Sequence, residues 1–141
     1  MKFFGLISIT VISFIMPVYS YCVYMMVDIP EMGYKIRQTP MNAGLNYFAR
    51  FARSDLKSGE KACCPYTNSD CVRSGGQNDK VQIAYRRHYN GLQEFPSVVD
   101  VPGGGWVEIH GDADHELILS FNPDGTSYDG NPRVDLQAGE N

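Results

Sequence analysis

Apolar and polar positions change rhythm once along this chain. Met41, Leu45, Phe48, Ala49, Ala52 and Leu56 recur at helical spacing, with Asn42, Asn46, Arg50 and Arg53 on other faces. Thr39-Pro40 supplies an N-cap and a first-turn proline, and Ser58-Gly59 a stop, so the pattern predicts one amphipathic helix between them. From residue 81 the period is two. Val81, Ile83 and Tyr85 alternate with Gln82 and Ala84; residues 106–110 form a second strand and residues 116–121 a third. The third is apolar on both faces, which predicts a central position. Asn122-Pro123-Asp124-Gly125 predicts a turn, with residues 126–128 returning as a hairpin partner, and residues 133–136 a weaker last strand. One helix followed by strands is an α+β layout: an N-terminal helix packed on a curved antiparallel sheet, its apolar stripe covering one face.

Ahead of these elements stand Lys2, a charge-free apolar run over residues 3–18 and the small residues Val18 and Ser20, the order of parts in a signal peptide. Cleavage is expected after Ser20, leaving residues 21–141 as a single exported domain. The run is short of the ~20 residues a membrane-spanning helix needs, so no membrane partner is expected. All four cysteines, Cys22, Cys63, Cys64 and Cys71, follow the leader, and an even count in a short exported chain reads as disulfides. A ring closed between the neighbours Cys63 and Cys64 would be strained, so Cys22 is expected to join one of them and Cys71 the other. The intervening residues 60–80 read as a polar loop held by these bridges. Cysteine spacing without nearby histidine argues against a zinc site, and no metal or cofactor is expected.

The chain carries 12 basic and 16 acidic residues, a net charge of −4. Nucleic acid binding through bulk charge is therefore excluded, and any such contact has to be local. The densest group of candidate residues is Tyr85-Arg86-Arg87-His88-Tyr89-Asn90-Gly91, in which aromatic and basic side chains can stack on a base and neutralise a phosphate. The same alternation also allows Tyr85 and Tyr89 to face the core, with Arg86 and His88 in solvent. A second group is Glu108, His110, His115 and Glu116, with Trp106, Glu108 and His110 on one strand face. Carboxylates beside imidazoles suit general acid–base work, and equally a cross-strand polar pair. The run Gly103-Gly104-Gly105 reads as a flexible entry into the Trp106 strand. Walker, Gly-x-Ser-x-Gly and His-Glu-x-x-His motifs are absent from the sequence.

The order of a helix, then Tyr85-Arg-Arg-His-Tyr-Asn-Gly-Leu-Gln-Glu-Phe95, then Pro102 to Ile109, then Ala113-Asp114-His115 leading to Phe121-Asn122, resembles the guanyl-preferring fungal ribonucleases. Residue by residue, Tyr85 and Tyr89 match the two tyrosines of their first motif and Asn90 lies close to its Asn. Arg87 stands where a catalytic His belongs, His88 is one place late, Glu108 matches the general base only with a shift, and His115 replaces an Arg. No histidine follows His115 to serve as the general acid. RNA transesterification needs both a base and an acid, so the resemblance implies a ribonuclease-like scaffold without its catalytic set. An exported scaffold of that kind is similar to the ribonuclease-like secreted effectors of powdery mildew fungi, although Tyr21-Cys22 lacks the residue between the aromatic and Cys of their start. The resemblance implies a monomeric virulence effector, translocated into host cells, that binds host plant RNA or protein to suppress immunity and meets a host immune receptor. RNA contacts would fall to Tyr85, Arg86, Arg87 and Tyr89. Two alternatives are an active ribonuclease using His88, Glu108 and His115, and a secreted toxin or inhibitor module whose sheet surface binds protein or glycan.

Overall fold

The structure, a computed structural model, describes residues 20–112 and 114–138. The expected leader, residues 1–19, lies outside the described residues; Ser20, placed at its end, already belongs to a strand. In chain order the strands are β1 (Ser20–Val27), β2 (Gly33–Gln38), β3 (Ala52–Lys57), β4 (Lys61–Pro65), β5 (Lys80–Tyr89), β6 (Leu92–Gln93), β7 (Ser97–Pro102), β8 (Trp106–Gly111), β9 (Glu116–Phe121), β10 (Ser127–Tyr128) and β11 (Arg133–Val134). They form two sheets, ordered β10-β9-β8-β1-β4 and β11-β7-β5-β2-β3, with β6 paired to β5. Neighbours are antiparallel except β1 and β8, which run parallel with Cys22 opposite Trp106 and Met26 opposite His110.

The core lies between the sheets. Tyr21, Val23 and Met25 of β1 and Val107 and Ile109 of β8 point inward from the first; Tyr34 and Ile36 of β2, Val81, Ile83 and Tyr85 of β5, and Val99 and Val101 of β7 answer from the second. Each set follows the two-residue alternation that places one face of a strand in the core. Cys63 and Cys64, adjacent on β4, consequently project to opposite faces. Cys63 meets its register partner Cys22 in one disulfide, and Cys64 turns inward to Cys71 in the other. Both bridges obey the expected exclusion of a Cys63–Cys64 ring.

The predicted α+β layout is not the fold of this chain: the described residues contain no α-helix, and a β-sandwich takes its place. Gln38 donates its N–H to the Phe51 carbonyl at 2.8 Å, closing a connection from β2 to β3 where helix was expected. Asn42 has a left-handed φ of 51°, incompatible with a continuous helix, and Tyr47–Ala49 forms a single 3-10 turn. Local preference was weak, since Asn42, Gly44 and Asn46 are all poor helix residues, and burial of Ile36, Phe51 and Leu56 in the sandwich decides the outcome. Ser58-Gly59 is the β3–β4 turn rather than a helix stop, with Gly59 at φ 79°. The ribonuclease-like scaffold, which needs that helix, falls with it.

Smaller corrections follow the same logic. The expected loop over residues 60–80 contains β4, and β9 is not central: its outer neighbour is the two-residue edge strand β10, and Leu117 is 55% exposed. Its hairpin with β10 forms as expected, pairing Ser127 with Phe121. Gly103, Gly104 and Gly105 are buried, and Gly103 and Gly104 donate to the Asp79 and Gln77 carbonyls, so the segment is packed rather than loose.

Candidate ligand-binding face

Strand β5 carries the predicted cluster, and its alternation divides it. Tyr85 continues the inward row of Val81 and Ile83; it is 5% exposed and burial pushes its hydroxyl pKa up to about 12, leaving a neutral phenol. Tyr89 is partly buried against the same core. Arg87 shares their side of the strand at its end. Its guanidinium pairs with the Glu94 carboxylate and donates to the Asp112 carbonyl at 3.0 Å, tying β5 to the loop after β8. The hydrogen bond with Glu94 is the main cause of its raised pKa. Arg86 and His88 lie on the opposite, outer side.

That outer side contains a hollow of about 330 Å³, within the range of small-ligand sites. Lys35 and Arg86, directly opposite in the β2–β5 register, contribute its permanent cations, and Tyr89, Asn90 and Gln93 line it at the β5–β6 hairpin. Glu31 is the carboxylate in the lining. Arg86 donates to the Gln93 side chain at 3.3 Å, linking two residues of the lining. His88 faces Gly33 across the strands and its Nε2 lies 3.2 Å from the Asp55 carboxylate. A Cβ on Gly33 would stand 2.2 Å from that carboxylate oxygen and 2.3 Å from the imidazole, so glycine is what permits the pair to meet. Asn90 and Gly91, at φ 51° and 76°, form the two-residue turn joining β5 and β6. Lys35, Gly33 and Asp55 were not singled out from sequence; the alternation Gly33-Tyr34-Lys35-Ile36-Arg37 carried the signal for a strand with a basic outer face.

The second predicted group sits on the other sheet. Trp106, Glu108 and His110 share the outer face of β8, as their spacing required, since Val107 and Ile109 are buried inward. Trp106 Nε1 donates to one Glu108 oxygen at 3.0 Å and the other lies 2.9 Å from His110 Nε2. Trp106 also stacks on Phe121, its cross-strand neighbour, at 5.0 Å between centroids. A carboxylate engaged at both oxygens is a structural link, poorly placed to take a proton from a substrate. His115 is exposed in the β8–β9 loop, 3.4 Å from Asp112, whose pKa is lowered by the N–H groups of Asp114 and His115. Glu116 accepts a 2.7 Å hydrogen bond from Tyr34 between the sheets.

His88 and Glu108 therefore project from the outer faces of different sheets with the core between them, and the structure does not bring His88, Glu108 and His115 together. Among the described residues no group of three or more His, Cys, Asp or Glu side chains converges on a metal-sized site. No family model, curated protein or solved structure matches the chain.

Proposed function

We propose that this chain is an exported, non-enzymatic binding module that takes single-stranded RNA in the hollow between β2, β3 and the β5–β6 hairpin. The observation carrying the proposal is the direct pairing of Lys35 with Arg86 at the rim of a nucleotide-sized hollow also lined by Tyr89. Two cations suit adjacent phosphates, and Asn90 and Gln93 offer amides to a base edge. Local charge of this kind is the route open to an acidic chain. Export is supported by the leader pattern and by two disulfides, which persist in oxidising compartments. The host-directed role implied by the resemblance rested on a helix-over-sheet fold and is no part of this proposal.

The test is fluorescence anisotropy of a labelled single-stranded RNA over a salt series. Neutralising two phosphates predicts a slope of log affinity against log salt of roughly −1.4 for a single strand. The double substitution Lys35→Glu with Arg86→Glu is expected to abolish binding while the protein stays folded, and the RNA is expected to remain intact. Salt-independent binding, or unchanged affinity in the double variant, refutes the reading. RNA cleavage lost in His88→Ala would replace it with an enzyme.

A further inference from the structure

The connection between β2 and β3 holds large apolar side chains in water. Phe48 is 92% exposed and Leu45 79%, with Tyr47 and Met41 each at 38%. Single exposed apolar residues are ordinary, but a cluster on one short loop marks an interaction surface. The loop is also built rather than slack. Asn46 caps the 3-10 turn by accepting from the Phe48 N–H at 3.1 Å, Tyr47 and Phe48 meet edge to face, and Arg50 Nε reaches back to the Gly44 carbonyl at 3.2 Å. At its root Asn42 bonds both the backbone and the hydroxyl of Ser74, and Gly44 packs so closely on Asp70 that a Cβ would stand 2.7 Å from its backbone.

The loop and the strand ends that carry it are basic, with Asp70 the acidic residue packed at its root against Gly44. Between Met32 and Ser54 the sequence places Lys35, Arg37, Arg50 and Arg53 and no acidic residue, in a chain whose net charge is −4. The Arg37 and Arg50 guanidiniums lie 4.2 and 5.6 Å from the centre of the Tyr47 ring, and Arg53 lies 5.8 Å from that of Phe51. An arginine collar thus stands behind Leu45 and Phe48.

An apolar tip with a cationic collar matches the boundary between acyl chains and anionic headgroups. A protein partner would need a complementary surface of about 800 Å² on each side, more than one protruding loop presents, whereas a bilayer accepts isolated protruding side chains of any shape. We propose that the loop spanning residues 41–50 docks on an anionic phospholipid bilayer, with Leu45 and Phe48 entering the acyl boundary and Arg37, Arg50 and Arg53 lying against lipid phosphates. Among the described residues no helix is long and apolar enough to cross a membrane. The contact is independent of the RNA hollow, which neither Leu45 nor Phe48 lines.

Protein beginning at Tyr21, the expected start after leader removal, is floated with phosphatidylcholine vesicles with and without phosphatidylserine. The wild type is expected to bind only the anionic vesicles, and less at high salt. Leu45→Ser with Phe48→Ser is expected to lower partitioning roughly tenfold or more, with the melting temperature and RNA affinity unchanged. Arg53→Gln is expected to lower it about fivefold. Absence of wild-type binding, equal binding to neutral vesicles, or wild-type partitioning in the folded double variant overturns the proposal. Concentration-dependent self-association that the double variant loses, without vesicle binding, assigns the tip to a second copy and equally overturns it.

Discussion

The Tyr34 hydroxyl donates to the Glu116 carboxylate at 2.7 Å, from β2 of one sheet to β9 of the other. Tyr34 is 1% exposed, whereas Glu116 is an exposed residue at the start of β9 whose carboxylate reaches Tyr34. Burial of that carboxylate is the dominant influence and raises the Glu116 pKa above its ordinary 4.5, against the opposing pull of Tyr34 and Arg87. A carboxyl with a raised folded pKa contributes stability that is fully present below its unfolded pKa and lost as pH rises through the folded value. Wild type is therefore expected to gain stability relative to Glu116→Gln between neutral pH and pH 4.5, as followed by urea midpoints at each pH. A relative loss on acidification would mean the ionised form is the one the fold prefers.

The two disulfides close loops of very different length, with sequence separations of 41 and 7. In the chain-entropy account the longer loop constrains the unfolded state more, by about 4 kcal/mol against about 2 kcal/mol for the shorter. Replacing Cys22 and Cys63 together by serine is thus expected to cost more than replacing Cys64 and Cys71. Denaturant titration of the two double variants measures the difference. The reverse order would show that the covered position of Cys64 and Cys71, 8% and 1% exposed, outweighs loop entropy.

The bridges also show what was legible in the sequence. Adjacent cysteines cannot easily join each other, which excluded one pairing; choosing between the rest required knowing that both sit on β4, where neighbours face opposite ways. Strands β5 and β8 were readable because Val81, Ile83 and Tyr85, and Val107 and Ile109, recur inward at a period of two, and β9 as the short apolar run Leu117-Ile118-Leu119. Strand β1 has the same signature in Tyr21, Val23, Met25 and Val27, but it follows directly on the apolar run of the expected leader, which masks its period. The helix failed for a physical reason: Met41, Leu45 and Phe48 have helical spacing yet never enter the core, so their periodicity reported no buried face. Trp106, Glu108 and His110 were correctly assigned to one face, while the separation of His88 from Glu108 depended on sheet order, which no local pattern encodes.

Arg86 and Arg87 are neighbours in sequence with opposite duties, and a pair of substitutions separates them. Arg86 lies on the outer face, lines the hollow and makes one 3.3 Å contact to Gln93, so Arg86→Gln is expected to weaken RNA binding with little change in melting temperature. Arg87 has a side chain only 14% exposed and is committed to Glu94 and the Asp112 carbonyl. Glu94 is half exposed, and solvent screening holds the loss in Arg87→Gln to about 1–2 kcal/mol, visible as a melting temperature lowered by a few degrees. Its RNA affinity is expected to match wild type where both are folded. Because the two variants remove the same charge one residue apart, bulk electrostatics predicts equal loss of affinity from both. Equal loss would therefore disprove binding at the outer hollow, whatever the melting temperatures show.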